Sequence, residues 1–239
     1  MSSRSIYRKT VESGNLVPFT VVSGQTNLLI LATRDLRRDA LTSISHHRRV
    51  IESYLKLQPR FGTSLQPVEV PVDAPDIVRV MAQAGRAAGI GPMSAVAGAV
   101  AEAVGRDLHE RCEEVIVENG GDVFMHTLSS RTVAIYAGAS PLSGRLGIAI
   151  ESGQPAGVCT STGTFGHSLS FGRADACTVV AKSAALADSV ATASCNRIRT
   201  ADDLGPAVDA ATSIAGVLGA VAVLADRMAV RGAIRLVTL

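Results

Sequence analysis

Apolar and polar residues alternate in short runs through residues 6–33, where FTVVSG and NLLILAT are set off by Gly14-Asn15 and Gly24; this period of two predicts a β-hairpin. The period then lengthens. From Asp39 to Leu57, the positions Leu41, Ile44, Val50, Ile51, Leu55 and Leu57 fit one helical face, and Pro59 cannot continue it. Helices are expected over 75–88 and 94–111, the second with Ser94 as N-cap and an Ala/Gly/Val composition suited to close packing on a sheet. In the middle third VIVEN, DVFMH, TVAIYA, LGIAI and GVCTST read as strands punctuated by Gly-Gly and Ser-Gly turns. ACTVVA follows as a strand, Ser183 to Ser194 and Asp203 to Leu218 as helices, and GAVAVL with AIRLV as a closing hairpin. These elements imply an α+β (α/β) fold with mixed or antiparallel sheets packed against helices. No repeat, low-complexity tract or linker divides the chain, so residues 1–239 are expected to form a single domain.

Composition sharpens this picture. With 47% hydrophobic residues a substantial core is available, but aromatics are only 3% and Trp is absent, so small side chains must bring backbones close together. A net charge of +2 gives no global attraction to polyanions or membranes. The basic run His46-His47-Arg48-Arg49 has no interleaved aromatics and reads as a solvated helix face, so no nucleic-acid partner is expected. The opening MSSRSIYRKTVESG lacks a signal-like apolar run and a lipidated Cys, which points to the cytoplasm. Ile214 to Ala225 is too short for the ~20 residues of a membrane helix and reads as a buried element. Cys112, Cys159, Cys177 and Cys195 form no C-x-x-C pair and are expected to be buried free thiols.

Three stretches could carry chemistry. In ADSVAT, Asp188 and Thr192 lie four apart on a helix and share a face. Carboxylate and hydroxyl together suit a hard cation such as Mg²⁺; the plainer reading is a solvated Asp and a Thr bonded back to its own helix. In ENGGD, the residues Asn119, Gly120, Gly121 and Asp122 allow either close backbone approach to a ligand or a type I′ hairpin turn. The third stretch, Thr160, Ser161, Thr162, Gly163 and Thr164, is dense in hydroxyls and could cradle a phosphate, with His167 assisting proton transfer, though an ordinary polar loop has the same composition. No Walker motif is present. Cys159 beside His167 invites a thiol-nucleophile reading, but its place at the end of an apolar strand favours packing.

The segments ENGGDVF, GVCTSTGTFGHSLSFGRADACTVVA and LADSVATA, with RRVIESYLKLQPRFGTSLQPV and AVAGAVAEAV upstream, resemble the uncharacterised UPF branch of the ApbE-like superfamily over nearly the whole chain. The resemblance implies an ApbE-like domain. Its better understood members use Mg²⁺ and FAD to attach FMN through a phosphoester to a Thr or Ser of an acceptor protein, releasing AMP. It places Asp188, Thr192 and the Ala97 carbonyl at the metal, Gly120-Gly121 at a Gly-Gly turn, and Thr160-Ser161 at the start of a Thr-Ser-Gly loop. It departs from the pattern in two ways: no Asp-Pro-x-Thr-Gly follows His167, and Gly98 stands where those members carry Lys. Two expectations result. The first is a Mg²⁺-dependent, FMN-transferase-like enzyme acting on a flavin nucleotide or another phosphorylated ligand, with an acceptor protein as partner and a homo-oligomer left open. The rival is a ligand-binding or accessory protein in sulfur or cofactor metabolism that keeps the fold without the chemistry.

Overall fold

The computed structural model describes residues 14–163 and 171–239. The chain opens with the hairpin β1 (Val17–Ser23) and β2 (Thr26–Ala32), followed by α1 (Arg37–Leu57), α2 (Pro59–Thr63) and α3 (Asp76–Ala88). A 3₁₀ turn, Pro92–Ala95, leads into α4 (Val96–His109). Strands β3 (Val115–Asn119), β4 (Asp122–His126), β5 (Arg131–Ala134), β6 (Leu146–Ile150), β7 (Ala156–Ser161) and β8 (Ala176–Ala181) come next. Then follow α5 (Ala184–Arg197), α6 (Leu204–Thr212), β9 (Val217–Leu224), β10 (Arg227–Gly232) and β11 (Arg235–Thr238).

Eight strands form one sheet in the order β1-β2-β3-β4-β7-β8-β9-β10, and β11-β6-β5 form a second. Every pairing is antiparallel. The large sheet is covered on both faces, which is why VIVEN and ACTVVA are nearly continuous apolar runs. Val115, Val117, Phe124, Cys159, Cys177 and Val179 join the core beneath the helices. Ile116, Val123, Met125, Val158, Val180 and Val221 pack with Ile148 and Val133 of the small sheet. The architecture is therefore three layers: helices, large sheet, small sheet.

Four expectations need correction. The helix expected over Asp203–Leu218 ends at Thr212, and the apolar run that follows is strand β9. AIRLV does not close a hairpin with GAVAVL; β9 turns back through Ala225-Asp226 into β10, while β11 crosses to pair with β6. That turn carries no glycine signal, because Ala225 holds a φ of 55° by tertiary bonds: its N–H donates to Asp175 at 2.7 Å and its carbonyl accepts from Ser140 at 2.6 Å. Ser94 is not the N-cap of α4 but sits within the 3₁₀ turn, its hydroxyl donating to Gly91 O at 2.7 Å. Cys112, finally, is only half-buried, whereas Cys159, Cys177 and Cys195 are buried free thiols.

Candidate functional site

The site forms where the start of α4 meets α5 and the β3–β4 hairpin. Asn119 and Asp122 face each other across the two-residue turn Gly120-Gly121, whose φ values of 69° and 109° demand the freedom of glycine. Glu118, buried beneath, accepts the Gly121 N–H at 2.9 Å and fixes the turn from inside. The Asn119 amide donates to the Ala97 carbonyl at 3.0 Å, tying the hairpin to the first turn of α4. Gly121 O accepts the Thr160 N–H at 3.3 Å, and Asp122 pairs in register with Cys159 of β7.

From the other side, the 8% exposed Asp188 of α5 accepts the Gly98 N–H at 2.8 Å. This is an N-terminal cap for α4 supplied by a different helix. The favour is returned by Glu102 of α4, whose carboxylate accepts the Ser183 hydroxyl at 2.7 Å and the Ala184 N–H at 2.8 Å at the start of α5. Such reciprocity needs contact between backbones. A Cβ on Gly98 would stand 2.3 Å from the Ala184 carbonyl oxygen, so no larger side chain, a lysine included, has room here.

Electrostatically the site is an acid pair, Asp188 buried and Asp122 half-buried. Burial pushes the Asp188 carboxyl up to about 7, against the stabilising N–H groups of Gly98 and Ala97. Burial, and then the neighbouring Asp188 charge, hold Asp122 well above the carboxylate range, against a hydrogen bond with Cys159. Among the described residues no Lys or Arg pairs with either carboxyl. The Cys159 thiol is pushed well above its ordinary value by burial and by Asp122 and Asp188, and it donates to Ala184 O at 3.3 Å. It is a packed thiol rather than a ready nucleophile.

The structure thus brings Ala97, Asn119, Gly120, Gly121, Asp122, Thr160 and Asp188 together, with Thr192 one helical turn beyond Asp188. The solvated-Asp alternative does not survive the burial of Asp188. The hydroxyl-rich stretch is less open than its composition implies. Thr160 and Ser161 are the last residues of β7, the Thr160 hydroxyl meets that of Thr178 at 2.9 Å, and the Gly163 N–H donates to Ala174 O at 2.8 Å. An anion cradle of free backbone donors is therefore not formed by Thr160 and Gly163. Thr164 and His167 lie outside the described residues. Among the described residues no cluster of three His, Cys, Asp or Glu side chains could hold a metal ion, and no single helix is long and apolar enough to cross a membrane.

Arg48 escaped the sequence reading. In the run taken as a solvated face, His46 and Arg49 are exposed, but Arg48 turns inward, donating to Thr26 Oγ1 and Glu52 Oε1 at 2.6 Å each. The signal was available in Arg48, Ile51, Glu52 and Leu55, spaced three, four and seven apart on one face of α1.

A family model described as AbpE bacteria matches residues 8–235. The chain belongs to this family. Among curated relatives it is 39% identical over 221 residues to a UPF0280 protein of Methanocaldococcus jannaschii, covering 90% of each chain. It is 42% identical over 197 residues to a UPF0280 protein of Methanopyrus kandleri, covering 82% of this chain and 79% of the other. Among solved structures, the fold of this AbpE family member is similar to the flavin transferase ApbE of Vibrio cholerae, with a TM-score of 0.58, 13% identity and coverage of 95% and 97%. The flavinyl transferase ApbE of Pseudomonas stutzeri, in its apo form, gives a TM-score of 0.58 at 16% identity, covering 96% and 95%. At these identities the likeness establishes the fold.

Proposed function

We propose that the chain is a cytoplasmic, single-domain, Mg²⁺-dependent enzyme acting on a flavin nucleotide or another phosphorylated ligand, in the manner of the flavin transferases whose fold it shares. The observation that carries this reading is the pair of half-buried Asp122 and buried Asp188, two carboxyls with no cationic side chain paired to them among the described residues, beside the Ala97 carbonyl. Buried carboxyls without a counter-charge are costly, and a divalent cation offsets that cost. The donors fit Mg²⁺: the Asp188 carboxylate, the Ala97 carbonyl and the Thr192 hydroxyl are hard oxygens, few enough to leave positions for water and phosphate. When bound, Mg²⁺ would supply charge to phosphate oxygens during transfer.

The chain's own groups divide the remaining work. Asn119 orients the Ala97 carbonyl, and the Gly120-Gly121 turn keeps side chains away from the ligand's approach. Asp122, whose carboxyl is raised well above the carboxylate range by burial and by Asp188, adds a second acidic oxygen pair beside the Ala97 carbonyl and Asp188. The hydroxyls of Thr160 and Thr162 border the strand end that leads toward His167, the group proposed for proton transfer.

The rival reading, a ligand-binding or accessory protein, is favoured by Gly98, where the close contact with Ala184 O excludes the lysine that would stabilise transferring phosphate. One assay separates the two. FAD is titrated with and without Mg²⁺, and then incubated with a Thr-bearing acceptor peptide while AMP release and flavinylation are followed. Mg²⁺-dependent binding with slow transfer is the expected result; binding without any transfer supports the rival, and no binding under either condition removes the nucleotide reading.

A further inference from the structure

Arg48, Ile51 and Leu55 turn one face of α1 toward the start of α4, so helical spacing points Arg49, Val50, Tyr54 and Leu57 the other way. There they line an open groove of about 490 Å³, bounded across from the helix by Asp73, Ala74 and Pro75, just before α3. Val50 and Tyr54 pack on the core beneath, but Leu57 is 76% exposed. Beside the groove stands Val72, 88% exposed, at the tip of a turn closed by the Ala74 N–H donating to Pro71 O at 3.1 Å. The turn is fixed from both sides. Ala74 is buried, and Arg79, itself paired with Asp76, donates to the Val72 carbonyl at 2.9 Å. A rigidly presented valine and an apolar groove that it does not fill thus lie side by side on one surface.

We propose that the groove is filled by a second copy of this chain: the Pro71–Ala74 turn of each molecule seats in the groove of the other, with Val72 entering beside Tyr54 and Leu57 and Asp73 meeting Arg49. Charge selects this occupant. Among the described residues neither Arg49 nor Asp73 has an ion pair within its own chain, and their signs are opposite. One surface therefore carries both the knob and the hole, and both members of the ion pair. Such a patch is complementary to itself, so a two-fold axis makes every contact twice and the assembly closes at two copies instead of growing into a filament. The two kinds of contact divide the work: removing Val72 and Leu57 from water drives association, while the charged pairs at the rim fix its register. Because the turn is already held by Ala74 and Arg79, little conformational freedom is lost when it docks. The inference is independent of the nucleotide reading, since the groove lies on the face of α1 opposite Arg48.

The test is sedimentation equilibrium of the full chain over a range of concentrations, with urea unfolding of each variant as a check on folding. The native chain should fit a monomer–dimer equilibrium. Val72→Arg, which sets a bulky cation against the groove and Arg49, should raise the dissociation constant roughly tenfold or more, and so should Arg49→Glu and Asp73→Arg, each of which sets like charges against each other. All three positions are exposed, so the unfolding midpoints should stay close to that of the native chain. Combining Arg49→Glu with Asp73→Arg exchanges the two signs and should recover most of the lost affinity, a cancellation that only direct pairing across the two-fold axis produces. A monomer at every concentration would overturn the proposal and leave the groove to a different protein. A dimer indifferent to Val72→Arg, or a charge exchange whose losses add instead of cancelling, would place the interface elsewhere and overturn it equally.

Discussion

Asp188 has a structural task, and under the proposed function a chemical one, in the same carboxyl. One oxygen accepts the Gly98 N–H, while its charge is left in a buried place beside Asp122. Two substitutions separate these tasks. Asp188→Asn keeps an acceptor for Gly98 and removes the charge, so the fold should persist while calorimetric titration of FAD loses its Mg²⁺ dependence. Asp188→Ala leaves a buried N–H unpaired and should cost about 1–3 kcal/mol in urea unfolding. A second carboxyl, Asp107, offers a check on acid behaviour. Burial raises it, but hydrogen bonds from His47 at 2.9 Å and Ser43 at 2.6 Å outweigh that and leave its pKa lowered. A carboxyl lowered on folding stabilises the native state above its unfolded pKa of about 3.9, and that stability is lost as pH falls through the folded value. Urea midpoints measured from pH 6 down to pH 2 should therefore fall less steeply in Asp107→Asn.

At the scale of elements, α4 and α5 hold each other by exchanged caps, and Gly98 sets how close they come. Gly98→Ala places a methyl against the Ala184 carbonyl oxygen and should destabilise by about 1–3 kcal/mol through overpacking, read as a lower urea midpoint. At the β9–β10 turn the sign reverses. Ala225 sits in the left-handed region, so Ala225→Gly should stabilise by up to about 1 kcal/mol, a rise in melting temperature. These two places also show what could be read in advance. The strands β3, β4, β7 and β8 were legible because period and turn chemistry agree: Asn119-Gly120-Gly121 is a turn signal in its own right. The β9–β10 turn was not, since its conformation is imposed by Asp175 and Ser140, far away in sequence. Asp188 and Thr192 were legible as a pair by helical spacing. The burial that gives Asp188 its unusual proton affinity was not, because it depends on Gly98 and Ala184 meeting. Arg48 was misjudged for the opposite reason: a charged run was weighed as a unit when its members face different ways.

For the whole molecule, covering the large sheet on both faces makes its middle the most protected region. Hydrogen exchange should be slowest in β4, β7 and β8 and fastest in β1 and β10, the two edges; uniform protection across the eight strands would contradict the three-layer arrangement. The exchanged caps have a consequence for how the molecule comes into being. Gly98 and Asp188 are 90 residues apart, and Glu102 and Ala184 are 82 apart, so neither helix has its partner until most of the chain exists. During synthesis α4 must wait, its first turn uncapped, until α5 has left the ribosome, and closing so long a loop belongs to the slow, high-contact-order end of folding. A chain interrupted between β4 and α5 carries the β3–β4 hairpin and the Ala97 carbonyl but lacks Asp188, so the acid pair is completed only when α5 has been made: the order in which the polypeptide is synthesised sets when the site is assembled.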